Sequence, residues 1–532
     1  MRPIHEVAAE LGVDPAHVLP YGRDKAKIEL AALERRAPRA KLVLVSAITP
    51  TKAGEGKTTT SVALAMGLAK IGERSVACLR EPSLGPVFGI KGGGTGGGRA
   101  QLEPAADINL HFTGDLHAIT SAHNLLSALI DNDLHFGAAS GLDPRSVTWP
   151  RALDMNDRAL RQVVVGLGGV NGGVPRETRF DITAASEVMA ILGLASSMED
   201  LTQRLGRIVV GHDRARAPVT AKDLGADVAM AALLKDALAP NLAQTREGTP
   251  ALVHGGPFAN IAHGCSSVLA TRLGLAYADF VVTEAGFGFD LGGEKFFDIK
   301  CRAAGLWPDA VVLVVTARAL ASHGAGELAA GLANLDHHLE SVRRFGVTPL
   351  VAINVFPDDS SADLSAIKRH CEAQGVACAQ CRGFADGGEG ARELASLARD
   401  AARAGGGEPR FLYELEASYA DKIEAVARGV YGADGVVVEA AAARVLDRLE
   451  ASGVRLPICV AKTPLSISDD PSRVGRPRGF TITVREARLS AGAGFVVLLT
   501  GDVMTMPGLP KVPAARGVRL VDGRIVGLMQ NE

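Results

Sequence analysis

Lys41-Leu-Val-Leu-Val-Ser-Ala-Ile48, then Thr49-Pro50, then Thr51-Lys-Ala-Gly-Glu-Gly-Lys-Thr58, and on to Ser75-Val-Ala-Cys-Leu79, is the stretch that decides the fold. The first segment is a short apolar run halted by Thr-Pro, which reads as a buried strand. A glycine-containing loop follows. From 57 to 71, Ala, Leu and Met recur at helical spacing, and Ser75 opens a second apolar strand. Strand, loop, helix and strand in that order form a βαβ unit, which requires parallel strands and a right-handed crossover. The same grammar returns downstream, with strands over 310–315, 349–353 and 376–379 and helices over 327–345, 364–373 and 391–402. Arg403-Ala-Gly-Gly-Gly-Glu-Pro409 reads as a linker. Residues 413–428 look helical, the last ninety residues strand-rich, and the first forty helical and connective.

The loop Thr51-Lys-Ala-Gly-Glu-Gly-Lys-Thr58 carries the clearest chemistry. Between a strand and a helix, its backbone N–H groups converge on an anion, and the helix presents its positive end to the same place. Lys57 supplies a full positive charge for the β- and γ-phosphates, and the Thr58 hydroxyl can ligate magnesium. Thr51 stands where the usual GxxxxGK[ST] pattern has its first glycine, so the match rests on its strand–helix context. A nucleotide is therefore expected at Thr51, Lys52, Ala53, Gly54, Glu55, Gly56, Lys57 and Thr58. The second strand ends in Leu79-Arg-Glu-Pro-Ser-Leu-Gly-Pro86, which sends Arg80 and Glu81 to the carboxyl end of the sheet, where doubly wound folds bind ligands. Arg80 offers a planar fork suited to a carboxylate or an acyl phosphate; a strand-end salt bridge is the plainer alternative. Lys91-Gly-Gly-Gly-Thr-Gly-Gly-Gly-Arg99 is dense enough in glycine to suit close backbone approach or a hinge, although a plain flexible loop fits it equally.

At 532 residues the chain is long enough for about three or four lobes. Its formal net charge of -2 gives no field that would draw nucleic acid or an anionic membrane. No apolar stretch reaches the ~18 residues a membrane helix needs, and the N-terminus lacks the apolar core of a secretory signal. Seven scattered cysteines fit reduced thiols and a cytoplasmic setting. His370, Cys371, Cys378 and Cys381 lie close together but match no common zinc spacing, so core and surface thiols are the better reading. His111, His117 and His123 recur every six residues, which is not one helical face, and structural hydrogen bonding comes first for them.

Taken together these segments resemble formate–tetrahydrofolate ligase, also called 10-formyltetrahydrofolate synthetase. The resemblance runs through the loop at 51–58, Arg80-Glu-Pro-Ser-Leu-Gly-Pro86, Gly89-Ile-Lys-Gly-Gly93 and Asp107-Ile-Asn-Leu-His-Phe-Thr-Gly-Asp115. It continues in His254-Gly-Gly-Pro-Phe-Ala-Asn-Ile-Ala-His-Gly264, Glu294-Lys-Phe-Phe-Asp-Ile-Lys-Cys-Arg302, Gly475-Arg-Pro-Arg478 and Met504-Thr-Met-Pro-Gly-Leu-Pro510. It implies ATP-dependent ligation of formate to tetrahydrofolate, giving 10-formyltetrahydrofolate, ADP and phosphate through formyl phosphate. Lys57 then looks like the phosphate-binding lysine, Arg80 like the residue gripping formyl phosphate, and Glu81 like the position linked to an activating monovalent cation, K+ or NH4+. Phe356, in Asn354-Val-Phe-Pro357, and Phe384, before Gly387-Gly-Glu-Gly390, look like the pair that stacks the pterin. ATP with Mg2+, small-molecule partners and a homotetramer are implied as well. The expected architecture is α/β: a phosphate-loop NTPase-like parallel sheet core with two smaller α/β domains around a central cleft, divided 1–335, 336–442 and 443–532.

Several positions depart from the family pattern. Lys52 stands for proline, Gly94, Thr95 and Arg99 for Ala, Ala and Tyr, Phe384 for a frequent Trp, and Asp386 for a common Lys. Arg318-Ala-Leu-Ala321 replaces an Arg-Ala-Leu-Lys pattern, and Phe289 a small residue. Residues 290–302 hold six charges in thirteen positions and read as a cleft wall or subunit contact. Two other functions share parts of this pattern. A phosphate-loop ATPase that switches a partner or delivers a metal would use Lys57 and Thr58 but not the two Phe residues. Another acyl-phosphate ligase would use Arg80 without a flat-ring pocket.

Overall fold

The computed structural model describes the chain apart from Arg35, Gly92, Ala138, Gly406, Asp502 and residues 529–532, and apart from the side chains of Ile90, Lys91 and Arg524. Eight strands build its framework: β1 (Lys41–Ala47), β2 (Ser75–Leu79), β3 (Asn241–Thr245), β4 (Pro250–Val253), β5 (Phe280–Glu284), β6 (Ala310–Val315), β7 (Pro349–Asn354) and β8 (Ala377–Cys381). They lie side by side in the order β3-β4-β2-β5-β1-β6-β7-β8. Every pairing from β4 to β8 is parallel. The expected parallel core is therefore present, but the whole sheet is mixed. β3 runs antiparallel to β4, and Ala26–Ile28 and Ala100–Glu103 join β3 antiparallel. The physical reason is the short turn after Thr245, with Gly248 at φ 89°: a connection this brief can close a hairpin but cannot cross over to a parallel strand. β1 and β2 are parallel as the βαβ reading requires, yet β5 lies between them, with Val282 opposite both Val43 and Ala77.

The central strands are buried along nearly their full length, which is why they read as unbroken apolar runs. Alternate residues serve opposite faces. Val43, Val45, Val312 and Val314 pack with Val62 and Leu64 of helix α1 (Lys57–Lys70). Leu42, Leu44, Val311 and Leu313 join the core that holds Leu335 and Leu339. Further helices follow their strands: α2 (Ala317–His323), α3 (Leu328–Arg344), α4 (Ser361–Ala373) and α5 (Arg392–Ala404). β6 pairs directly with β7, so one sheet takes strands from both sides of the division expected at 335/336. Smaller sheets lie both within residues 151–220 and in the C-terminal part, the latter including the set made by Ile458–Ala461, Phe495–Leu499 and Glu486–Ser490. Among the described residues no helix is long and apolar enough to cross a membrane.

Two local expectations shift. The helix expected over 413–428 starts only at Tyr419, because the Ser418 hydroxyl caps it by accepting from the Asp421 N–H. Tyr413 stays outside it, with its hydroxyl accepting from Ile458 N–H at 3.1 Å. The charges expected to form a cleft wall or a subunit contact at 290–302 mostly lie inside the protein instead. Asp290, Glu294, Lys295, Asp298 and Lys300 are fully buried. Most find partners: Lys462 Nζ lies 2.7 Å from Asp290 Oδ2, Lys295 Nζ donates to the Ala259 carbonyl and Lys300 Nζ to Thr271 Oγ1. Glu294 has no hydrogen-bond partner, and burial, reinforced by Asp298, pushes its carboxyl well above the ordinary range. Burial works against the Asp290 carboxylate too, yet Lys462 and His338 hold its pKa below the usual value.

Lys462→Met should therefore leave a buried charge uncompensated and lower stability by ~3–5 kcal/mol. Adding Asp290→Leu should recover most of that loss, because an apolar pair has no charge to desolvate. Denaturation curves for wild type, single and double variants check this; a single variant as stable as wild type would contradict the pairing.

Candidate active site

Because seven strands run the same way, their carboxyl ends share one edge, which is where doubly wound sheets place their ligands. The 51–58 loop leaves β1 and enters α1. Gly54 and Gly56 take φ of 77° and 73°, conformations that other residues adopt only with strain. At Gly56 a Cβ would also stand 2.3 Å from Asn354 Nδ2. That amide donates to the Glu55 carbonyl at 3.1 Å, so the end of β7 braces the loop of β1. The Glu55 side chain turns inward. Its Oε1 accepts from Thr51 N and Oγ1 at 2.8 and 2.9 Å, and its Oε2 accepts from Thr316 Oγ1 at 2.7 Å. This leaves the Glu55 backbone, not its carboxylate, available to an anion. Lys52 and Ala53 are exposed at the loop tip, and Lys57 opens the helix half-buried.

Thr58 Oγ1 donates to Glu284 Oε2 at 2.9 Å, and the other oxygen of Glu284 lies 3.8 Å from Arg80 Nη2. One nearly buried carboxylate at the end of β5 thus joins the threonine after β1 to the arginine after β2. Arg80 Nη1 also donates to the Pro257 carbonyl at 3.3 Å, while its buried Nε has no partner. Glu284 was not among the residues singled out from the sequence. The signal was present, since Phe280-Val-Val-Thr-Glu284 is an apolar run that ends in an acid. Glu81 has different surroundings. It is buried, its Oε2 is unpartnered, and burial first, then Asp115, push its carboxyl well above the ordinary range. Nearby, Lys27 Nζ holds both oxygens of Asp115, at 2.8 and 3.0 Å.

Phe356 and Phe384 leave the ends of β7 and β8, which are paired neighbours with Asn354 opposite Cys381. Each ring meets a different companion. The Phe356 ring lies under the Arg318 guanidinium, 3.8 Å from Cζ to the centroid. Phe384 sits on a single helical turn (Gly383–Asp386) rather than in an open loop, and 44% of it is exposed. Its carbonyl accepts from Arg99 N–H at 2.9 Å. Gly98 has φ 61°, and a Cβ there would stand 2.1 Å from the same carbonyl and 2.9 Å from the ring. Close backbone approach is thus one use of the glycine-rich stretch: it lets that stretch lie against the Phe384 turn. Gly92, within that stretch, lies outside the described residues.

The weaker candidates resolve simply. His123 is buried and stacked on Trp149, with centroids 4.3 Å apart, and its Nε2 meets the Pro150 carbonyl. Burial lowers its pKa to about 4, so it stays neutral. His111 and His117 are exposed. Cys371, Cys378 and Cys381 are buried free thiols, and His370 pairs with Asp336. Among the described residues no cluster of three or more His, Cys, Asp or Glu could hold a metal ion.

Comparison with known proteins places this edge in context. The model of the formate–tetrahydrofolate ligase family matches residues 1–529. The chain belongs to that family. Among its relatives, the formate–tetrahydrofolate ligase of Myxococcus xanthus is 61% identical, with all of both chains covered. Those of Paracoccus denitrificans and Sinorhizobium medicae are 56% and 54% identical, each over 99% of this chain and 97% and 96% of their own. The protein is accordingly an enzyme that joins formate to tetrahydrofolate at the expense of ATP.

The loop geometry gives a graded expectation. Gly56→Ala, which meets both positive φ and Asn354, should raise KM for ATP about tenfold or more, equivalent to ~1.4 kcal/mol. Gly54→Ala has nothing within 4 Å of its new methyl group and should cost less. Equal effects in initial-rate assays would contradict the Asn354 brace.

Proposed function

We propose that the residues on this edge divide the ligation into two transfers. The 51–58 backbone, from Thr51 through Thr58, and the N-terminus of α1 receive the ATP polyphosphate, with Lys57 against its outer phosphates. Thr58 and Glu284 offer hard oxygen donors about one hydrogen bond apart, which fits Mg2+ accompanying the nucleotide. Bound there, the metal would neutralise charge on the phosphates. Arg80 receives formate through its guanidinium fork.

In the first transfer a formate oxygen bonds to the γ-phosphorus as the bond to the ADP oxygen breaks, giving formyl phosphate. Formate itself is a poor acylating agent because its leaving group would be oxide; phosphate corrects that. In the second transfer the folate nitrogen attacks the formyl carbon, the carbon–oxygen bond breaks, and phosphate departs carrying the former formate oxygen and, in the net balance, the proton lost from the nitrogen. Arg80 and Lys57 stabilise charge on the transferring group without covalent help from the protein. Phe356 and Phe384, at the ends of neighbouring strands ~4.8 Å apart, receive the pterin. The observation that carries this reading is the hydrogen-bond and ion-pair chain Thr58–Glu284–Arg80, which brings a nucleotide-loop hydroxyl and a carboxylate-binding cation to one carboxylate.

The orphaned Glu81 oxygen beside Asp115 fits a monovalent cation such as K+ or NH4+, which would take the place of a proton there. A homotetramer belongs to the same reading. It is supported by exposed apolar side chains such as Leu167 and Val170, 69% and 90% exposed, which favour cover. The seven buried free thiols suit a cytoplasmic setting.

With formate labelled in 18O, one labelled oxygen should appear in the inorganic phosphate released. Label found only in the formyl product and unreacted formate would rule out formyl phosphate. Phe384→Ala should raise KM for tetrahydrofolate about tenfold, the scale of one lost ring contact, with KM for ATP nearly unchanged. An unaltered folate KM would show the ring is no platform.

A further inference from the structure

Thr49 stands between β1 and the 51–58 loop, and all its hydrogen-bonding groups are held. Its N–H donates to Asn334 Oδ1 at 3.3 Å, and its hydroxyl oxygen accepts from Asn334 Nδ2 at 3.0 Å. His338 Nε2 lies 3.0 Å from the same hydroxyl. Its carbonyl accepts from His323 Nε2 at 2.7 Å. Asn334 and His338 come from α3, and His323 ends α2.

The same side chains also hold a segment far away in sequence. Gly475 N–H donates to His323 Nδ1 at 3.2 Å, and the Gly475 carbonyl accepts from Asn334 Nδ2 at 2.7 Å. The tautomer follows from these partners. A carbonyl can only accept, so Nε2 carries the proton; an N–H can only donate, so Nδ1 offers its lone pair. His323 is 7% exposed and spans the gap as a neutral two-ended clasp. Gly475 has φ 75°, and a Cβ there would stand 2.6 Å from the His323 carbonyl, so the clasp requires glycine. Arg476, next in the chain, pairs with Glu340 of α3 at 2.9 Å and fixes the segment from its other side.

We infer that His323 is a positioning residue for the nucleotide step: it locks the root of the 51–58 loop to the C-terminal Gly475 segment, so that segment helps set the loop's geometry. Neither Thr49 nor Gly475 need touch a substrate for this. The inference rests on the reading that the 51–58 loop receives ATP.

The test compares KM for ATP, formate and tetrahydrofolate in the full-length enzyme for His323→Ala, His323→Gln, Gly475→Ala and the double variant His323→Ala with Gly475→Ala. Lys57→Ala serves as the reference. His323→Ala should raise KM for ATP about tenfold, the scale of losing a buried hydrogen bond, and leave KM for tetrahydrofolate within about twofold. Gly475→Ala should act in the same direction. The double variant should be no worse than the poorer single one, because both break one clasp. His323→Gln, which keeps a donor and an acceptor, should retain more ATP affinity than His323→Ala. An unchanged ATP KM in His323→Ala, a parallel rise in all three constants, or multiplying effects in the double variant would overturn the inference. A Lys57→Ala variant with normal ATP KM would instead remove the assignment of the loop, and the inference with it.

Discussion

The Glu284 carboxylate is where the pieces of this site meet. It accepts the Thr58 hydroxyl on one oxygen and faces Arg80 on the other. It can do so only because β5 is inserted between β1 and β2, in parallel register with both. Those two strands deliver the loop and the arginine; the strand between them delivers the group that relates one to the other. Displacing β5 by one residue would send Glu284 to the opposite face, and the two would lose their common partner. The hydrogen bonds from Asn354 and Thr316 to Glu55 repeat the principle on the other side of β1. The loop is held by the ends of the strands around it as much as by its own glycines.

The C-terminal part contributes from within the core as well as from its own small sheets. Lys462 enters the core to meet Asp290, also hydrogen-bonding the Ser466 and Thr463 carbonyls. Burying two ions is costly, and such a pair contributes little net stability compared with apolar residues. Removing either member alone leaves the partner charge stranded, and that is the larger cost. Gly475 makes a second junction through His323 and Asn334. The Gly475 junction shares its partners with Thr49, just past β1, so a late segment of the chain is tied to the root of the loop.

Much of this was legible in the sequence, and the reasons for the rest are specific. Residues 41–58 and 75–79 announced a strand, a loop, a helix and a strand because buried parallel strands are continuous apolar runs and the loop has its own glycines. The helices near 327–345, 364–373 and 391–402 carried a helical period and were found within a few residues. The position of β5 was not legible, since pairing across some two hundred residues leaves no mark on local spacing; Glu284 was missed with it. The antiparallel hairpin of β3 and β4 was not legible because Asn241-Leu-Ala-Gln-Thr245 has three polar residues in five and offers no apolar run to mark a strand. Residues 290–302 looked like surface because their charges are dense, and only Lys462, Ala259 and Thr271, all distant in sequence, make their burial tolerable. Phe356 and Phe384 were reached through family resemblance; composition alone gives no reason to prefer them over other loop aromatics.

On the proposed reading, nucleotide and folate meet over a single edge of one sheet, so that an activated formyl group passes directly between them. A crystal structure with a non-hydrolysable ATP analogue, formate and a reduced folate bound together tests it most directly. The terminal phosphate should lie between Lys57 and Arg80, and the pterin between Phe356 and Phe384, with the folate nitrogen facing the formate. Nucleotide and pterin lodged in separate clefts, too far apart for that nitrogen to reach formate, would contradict the account.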